Sequence, residues 1–197
     1  MAPPRKHETD VILDATRALV LAGGPRAAGV AAIAKASGAP AGTLYHRFGN
    51  RDGVLVATWL RALERFQVRA MAATGDTAVD AAVAMGVAAI GFARDEPEDA
   101  RLLLSLRPAD LVDGALDAAF GDTLAAMNAP LVVRVSQLAE RLYGTPDARA
   151  IDSVARAVVD LPYAVVRRHA ADRRMPRWLE DDVAVAVRAL LVAGRRA

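Results

Sequence analysis

Residues 33–51 read Ile-Ala-Lys-Ala-Ser-Gly-Ala-Pro-Ala-Gly-Thr-Leu-Tyr-His-Arg-Phe-Gly-Asn-Arg, and this stretch leaves few folds open. Val30, Ile33 and Ala34 fall on one face of a helix over Val30–Ser37. Gly38 breaks that helix and can take the positive φ that a sharp turn needs. Pro40 drives Ala39 out of the helical region and presets its own φ for a first helical turn, so the second helix is predicted over Pro40–Phe48. Leu44 and Phe48 are i,i+4 partners and point inward. Ala41, Gly42, Thr43, Tyr45, His46 and Arg47 then share the outer and lateral faces. Two short helices around a tight corner make the helix-turn-helix pattern, whose second helix suits the major groove of DNA. The same spacing also fits a plain corner in an all-α protein.

The outer residues suit a DNA reader. Ala41, Gly42 and Thr43 are small, so the helix start can approach base edges, and Thr43 can bond an edge or pack on a thymine methyl. Tyr45, His46 and Arg47 offer donors to phosphate oxygens, which fix register rather than read sequence. The helix start adds free amides and the positive end of a dipole.

The segment from Gly29 to Leu55 resembles the DNA-binding domain of the TetR family of bacterial transcriptional regulators. Gly42-Thr43-Leu44-Tyr45-His46 followed by Phe48 is its most specific part. Arg51 stands where the family usually has a Lys opening the fourth helix, and Leu55 falls on the apolar position after it. The resemblance covers about residues 8 to 60. It implies a dimeric DNA-binding regulator, a repressor on a palindromic operator, released by a small-molecule effector. Pro40, Ala41, Gly42 and Thr43 then meet bases, while Lys35, Tyr45, His46, Arg47 and Arg51 hold phosphates. Gly29 and Ala31 depart from the pattern, where a capping Thr and a polar or basic residue are common. They support an alternative, an all-helical small-molecule-binding or scaffold protein with a degenerate reader.

The chain has 197 residues, 54% of them hydrophobic but only 5% aromatic, so its core is built from Ala, Val and Leu. That composition favours an all-α fold of packed helices. The absence of Cys excludes disulfides and thiolate metal sites. The uncharged run 81–93 is too short to span a bilayer, and the first ten residues hold no apolar stretch, so a cytoplasmic protein without a membrane partner is expected. Net charge is +2, divided as +3 up to Asp52 and −1 beyond it. The positive balance sits with the DNA reader.

In chain order, Met1–His7 reads as a basic arm and Thr9 as the cap of a helix over Asp10–Ala22. Ile12, Ala15 and Leu19 are its predicted inner stripe. This helix braces the corner, with Ile12, Leu19, Ile33, Leu44 and Phe48 as the shared core. Asn50 caps a fourth helix over Arg51–Ala73. Further helices are predicted over Thr77–Arg94, Pro97–Leu106, Gly114–Leu142, Asp147–Ala171 and Trp178–Ala193. Pro130 and Pro162 are expected to kink or split theirs. Residues 173–176 read as a basic connector and 194–197 as a tail. The expected division is a DNA-binding domain over 8–50 and a helical effector-binding and dimerisation domain over 51–197.

The last two helices are apolar on more sides than one stripe requires. Ile151, Val154, Ala155, Val158, Val159, Val183, Val187, Leu190 and Leu191 are therefore candidates for a symmetric homodimer interface, or for a central core in a monomer. Trp59, Met85, Phe92, Leu104, Phe120, Met127 and Tyr163 are candidates for lining a cavity that takes an apolar or aromatic effector, with ordinary core as the competing role. His7, His46 and His169 lack metal-site spacing, Ser105, Ser136 and Ser153 lack a nucleophile-elbow context, and no Gly-rich phosphate loop occurs. Neither an enzyme nor a cofactor is expected.

Overall fold

The computed structural model describes residues 5–110, 118–170, 172 and 175–194. The fold is all-α, and no strand occurs among the described residues. Its helices are α1 (Arg5–Gly23), α2 (Val30–Ser37), α3 (Ala41–Phe48), α4 (Arg51–Ala72), α5 (Ala78–Asp95), α6 (Pro97–Ser105), α7 (Ala118–Tyr143), α8 (Ala148–Ala155), α9 (Leu161–His169) and α10 (Trp178–Ala193). Short 3-10 turns lie at Pro25–Ala27 and Pro108–Asp110, and a π turn at Arg156–Asp160 joins α8 to α9.

Two local expectations are corrected and a third is narrowed. First, α1 begins at Arg5, so Thr9 lies inside the helix rather than capping it, and part of the expected arm is helical. No breaker separates Arg5 from Asp10, so the apolar pattern that begins at Val11 did not mark the helix start. Second, the inner stripe of α1 is Ile12, Leu13, Thr16 and Val20, while Ala15 and Leu19 are half-buried. A threonine can serve there because its hydroxyl donates to the Ile12 carbonyl at 2.8 Å. Third, neither inner proline splits its helix. Pro130 sits within a continuous α7, and both it and Ala126 are exposed, so water can serve the carbonyl that the proline leaves unpaired. Pro162 is accommodated by widening the helix: the Leu161 amide donates to the Arg156 carbonyl, five residues back. The predicted start at Gly114, the end at Ala171, the first two residues of the 173–176 connector and the last three residues of the tail fall outside the described residues, as do Met1 to Pro4.

The chain forms two compact units, Met1–Leu63 with Glu98–Gly121, and Glu64–Pro97 with Asp122–Ala197. In the first, Ile12, Ile33, Leu44, Val54, Leu55 and Leu102 are fully buried and give α1 to α4 and α6 a common core. Arg17 ties α1 to α6. Its guanidinium donates to Asp99, a carboxylate only 1% exposed, and to Glu98 at 2.6 Å. Arg61 of α4 reaches back to α1, donating to Asp10 at 3.1 Å and Asp14 at 2.6 Å. The Nε atoms of Arg17 and Arg61 are buried without partners among the described residues, so both side chains are held by their terminal nitrogens.

In the second unit, α5, α7, the α8–α9 segment and α10 pack around Ala82, Met85, Ile90, Leu138, Ala139, Val154, Ala157, Val187 and Leu191. The edge of Phe66 meets the ring of Phe92 at 5.5 Å. Ion pairs at the rim join Arg69 to Asp95 at 2.7 Å, Arg94 to Glu180 at 2.8 Å and Arg188 to Asp80 at 2.7 Å. The Thr77 hydroxyl, and then Arg188, hold the Asp80 carboxyl below its ordinary range. Arg69 does the same for Asp95.

Two substitutions test this packing. Asp99→Ala leaves Arg17 buried with only part of its compensation and should destabilise the chain by about 3 kcal/mol. Chemical denaturation would measure this, and Arg17→Met with Asp99→Leu should recover most of the loss. Gly53→Ala would ordinarily strengthen a helix by about 1 kcal/mol. Here its Cβ would stand 1.9 Å from the Phe48 carbonyl oxygen, so the melting temperature should fall instead of rise.

Candidate nucleic-acid interface

The corner is closed by local hydrogen bonds. Gly38 adopts φ +71°, the left-handed conformation open to glycine. The Ser37 hydroxyl donates to the Ile33 carbonyl at 2.7 Å and accepts from the Ala39 amide at 3.2 Å. It thereby satisfies the first amide after the break. Pro40 caps α3 with φ −59° and ψ 142°, so the helix opens at Ala41, one residue later than predicted. Leu44, 1% exposed, anchors α3 in the core, and Phe48 is half-buried behind it. Gly49 turns the chain out of the helix at φ +77°, and Asn50 caps α4 by accepting from the Gly53 amide at 2.8 Å. The contact between Gly53 and Phe48 brings α4 hard against the end of α3.

This framework leaves one side of α3 bare. Pro40, Ala41, Gly42, Tyr45 and His46 are exposed and Thr43 is half-exposed. Among the described residues nothing stands within 4 Å of where a Cβ on Gly42 would lie. Tyr45 is 54% exposed, high for an aromatic ring. Neither Tyr45 nor His46 makes a side-chain hydrogen bond among the described residues. Lys35, in the last turn of α2, is also exposed. A patch of small residues at a helix start, flanked by uncommitted donors, can meet base edges with the first group and phosphates with the second.

Arg47 and Arg51 are placed differently from the rest of the predicted phosphate set. Arg47 is half-buried and its Nη1 donates to the Thr9 hydroxyl of α1 at 2.9 Å. Arg51 donates from Nη2 to the Pro25 carbonyl at 2.7 Å and from Nη1 to Asp52 at 2.8 Å. Both cations make internal bonds. The bracing roles of Ser37, Gly53 and Thr9 were missed in the sequence. Only the Ser-Gly-x-Pro spacing could have signalled the first, and the others depend on helix approach.

Residues 12–58 match the family model described as bacterial regulatory proteins, tetR family. Over these residues the chain is similar to the N-terminal helix-turn-helix domain of that family. The fold of the whole chain is that of TetR-type regulators. It is similar to a TetR-like transcriptional regulator from Rhodococcus sp. RHA1, at 19% identity over 100% of both chains with a TM-score of 0.69. It is likewise similar to a TetR family regulator from Marinobacter aquaeolei VT8, at 17% identity over 94% of this chain and 95% of that one, TM-score 0.72. A third similar structure is the regulator FadR from Bacillus subtilis, solved in complex with stearoyl-CoA, at 15% identity over 95% of each chain, TM-score 0.53. A search of curated proteins finds no match.

The candidate effector residues do not gather in one unit of this TetR-type fold. Trp59, Leu104 and Phe120 belong to the first, where Trp59 is buried and its indole donates to the Leu106 carbonyl at 3.2 Å. Met85, Phe92, Met127 and Tyr163 belong to the second, with Met85 and Phe92 buried and Tyr163 exposed. A concavity of about 280 Å³ in the second unit is lined by Leu142, Tyr143, Thr145, Asp147 and Arg149 among others, and by none of these candidates. Of the candidate dimer residues, Val154, Val158, Val183, Val187 and Leu191 are buried within the chain, where α5 packs on the π turn, α9 and α10, and α8 packs on α10. Ile151 and Ala155 are half-buried, and Val159 and Leu190 are exposed. No cluster of potential metal ligands occurs among the described residues, and none of their helices is long and apolar enough to cross a membrane.

The division of labour on α3 is testable by substitution. Tyr45→Ala should weaken binding to every duplex about equally, whereas Thr43→Ala should change the order of preference among sequences. Shift assays at fixed ionic strength would separate the two effects, since affinity depends steeply on salt.

Proposed function

We propose that this chain is a transcriptional repressor that binds a palindromic operator as a homodimer and is released by a small apolar or aromatic effector. The observation that carries the reading is the bare face of α3. Exposed Ala41 and Gly42 with half-exposed Thr43 open a helix whose inner side is anchored by Leu44. Functionally, residues 8–50 are the reader and residues 51–197 the effector-binding and dimerisation region. The reader's own unit extends further along the chain, because α6 is ion-paired to α1.

Dimerisation falls to the apolar residues that the second unit leaves outside. Val159 and Leu190 belong to the expected set, and Tyr163, Val185 and Val192 join them, each at least 38% exposed. Ile151 and Ala155 can add to the edge, while the buried valines and Leu191 support the face from beneath. A twofold pair presents one α3 to each half-site, with half-sites about 34–36 Å apart. The effector acts through α4, which continues from the reader into the second unit. It releases DNA only as far as it prefers the non-binding arrangement. The similar FadR structure holds stearoyl-CoA, a ligand with a long apolar acyl chain on a charged head.

Selection of bound sequences from random duplex DNA should enrich an inverted repeat. Enrichment of nothing would instead favour the helical ligand-binding or scaffold reading. Replacing both Val159 and Tyr163 by Glu should yield monomers by analytical ultracentrifugation and weaken operator binding more than tenfold, through loss of one half-site contact.

A further inference from the structure

On the reading of α3 as a DNA reader, its cations belong to the phosphate-contacting set. The geometry of Arg47 points elsewhere. Its Nη1 donates to the Thr9 hydroxyl at 2.9 Å, across a sequence separation of 38 residues. Among the described residues, Arg47 is the one residue of α3 whose side chain is hydrogen-bonded outside its own helix. Arg47 and Thr9 each make a further interaction besides this bond. Arg47 is half-buried, in contrast to exposed Tyr45 and His46 on the adjoining face. The helix it belongs to has eight residues and one buried side chain, Leu44. Leu44 fixes how deep α3 sits, and a grip on its flank adds control over its roll.

We propose that Arg47 is a positioning residue, which sets the roll of α3 by gripping Thr9 of α1 and does not contact phosphate. Thr9 is thereby a functional residue of the DNA reader although it lies on the bracing helix. The inference rests on the reading of α3 as the DNA-contacting helix, and its test has one arm that needs no DNA. The bond is charge-assisted and part-buried, the class of hydrogen bond whose loss is felt most when one partner remains. A bond made only within the protein also leaves no mark on counterion release, whereas each phosphate contact contributes about one unit to the salt slope.

The experiment uses the full chain with Thr9→Val, Thr9→Ser, Arg47→Met and the Thr9→Val/Arg47→Met pair. Amide hydrogen exchange is followed in free protein over residues 44–48, and the salt dependence of affinity for a selected duplex is followed beside it. Thr9→Val and Arg47→Met should each speed exchange in α3 by about five- to tenfold, the loss expected of one charge-assisted bond at a half-buried site. The pair should speed it by less than the two single effects combined, because both changes remove the Thr9–Arg47 bond. Thr9→Ser, which keeps the hydroxyl, should match the parent. Both single losses should lower duplex affinity by about fivefold or more at an unchanged salt slope. The proposal is overturned if Thr9→Val leaves α3 exchange at the parent rate. It is equally overturned if Arg47→Met lowers the salt slope by about one unit. A parent chain that binds no duplex defeats the DNA-reader reading itself, and the exchange arm then still decides whether Arg47 holds α3.

Discussion

An isolated helix of eight residues is marginal in water, so α3 exists only because the chain around it fixes both of its ends. At the front, the left-handed Gly38 and the Ser37 hydroxyl close the corner, and Pro40 arrives already extended. At the back, Gly53 lets α4 press on the Phe48 carbonyl closer than any side chain would allow. Between them Leu44 alone reaches the core. Ala41, Gly42, Tyr45 and His46 on the outer side are thereby released from packing. A surface that packing does not need can be shaped for a partner, and small residues at the helix start are the shape that close approach to a base edge requires.

Arginine serves as internal strut throughout the first unit. Arg17 joins α1 to α6, Arg61 joins α4 to α1, and Arg51 fastens the start of α4 to the turn before α2. Each bridges elements far apart in the chain, with a planar head that can satisfy two acceptors. In a core of small aliphatic residues such struts add what dispersion contacts do not supply, a preferred orientation of one helix on another. The same economy explains why a modest positive balance in the first 52 residues does not translate into an equally positive outer face.

Much of this was legible in the residues. The spacing of Val30, Ile33 and Ala34, the Gly38 break and the Pro40 start gave α2 at its observed bounds and α3 to within one residue, because each signal is local stereochemistry. Asn50 as a cap was equally legible. What escaped depended on distant contacts. Arg47 and Arg51 look alike in sequence to exposed phosphate-binding cations, and only the approach of Thr9 and Pro25 turns them inward. Val158, Val183 and Leu191 carry the hydrophobicity of an interface, but α5 is near enough to use them as core. The π turn before Pro162 escaped for a related reason: a proline announces a disturbance, and the surrounding packing decides whether the helix bends, breaks or widens.

The central claim is that DNA meets the bare side of α3. The most direct test maps amide chemical shifts of the full chain as a selected duplex is added. The account predicts that the largest changes fall on Ala41, Gly42, Thr43 and Tyr45, with Lys35 beside them, while amides of the second unit's core, such as Ile90 and Leu138, stay in place. Shifts concentrated in α9 and α10, with α3 unmoved at saturation, would contradict it.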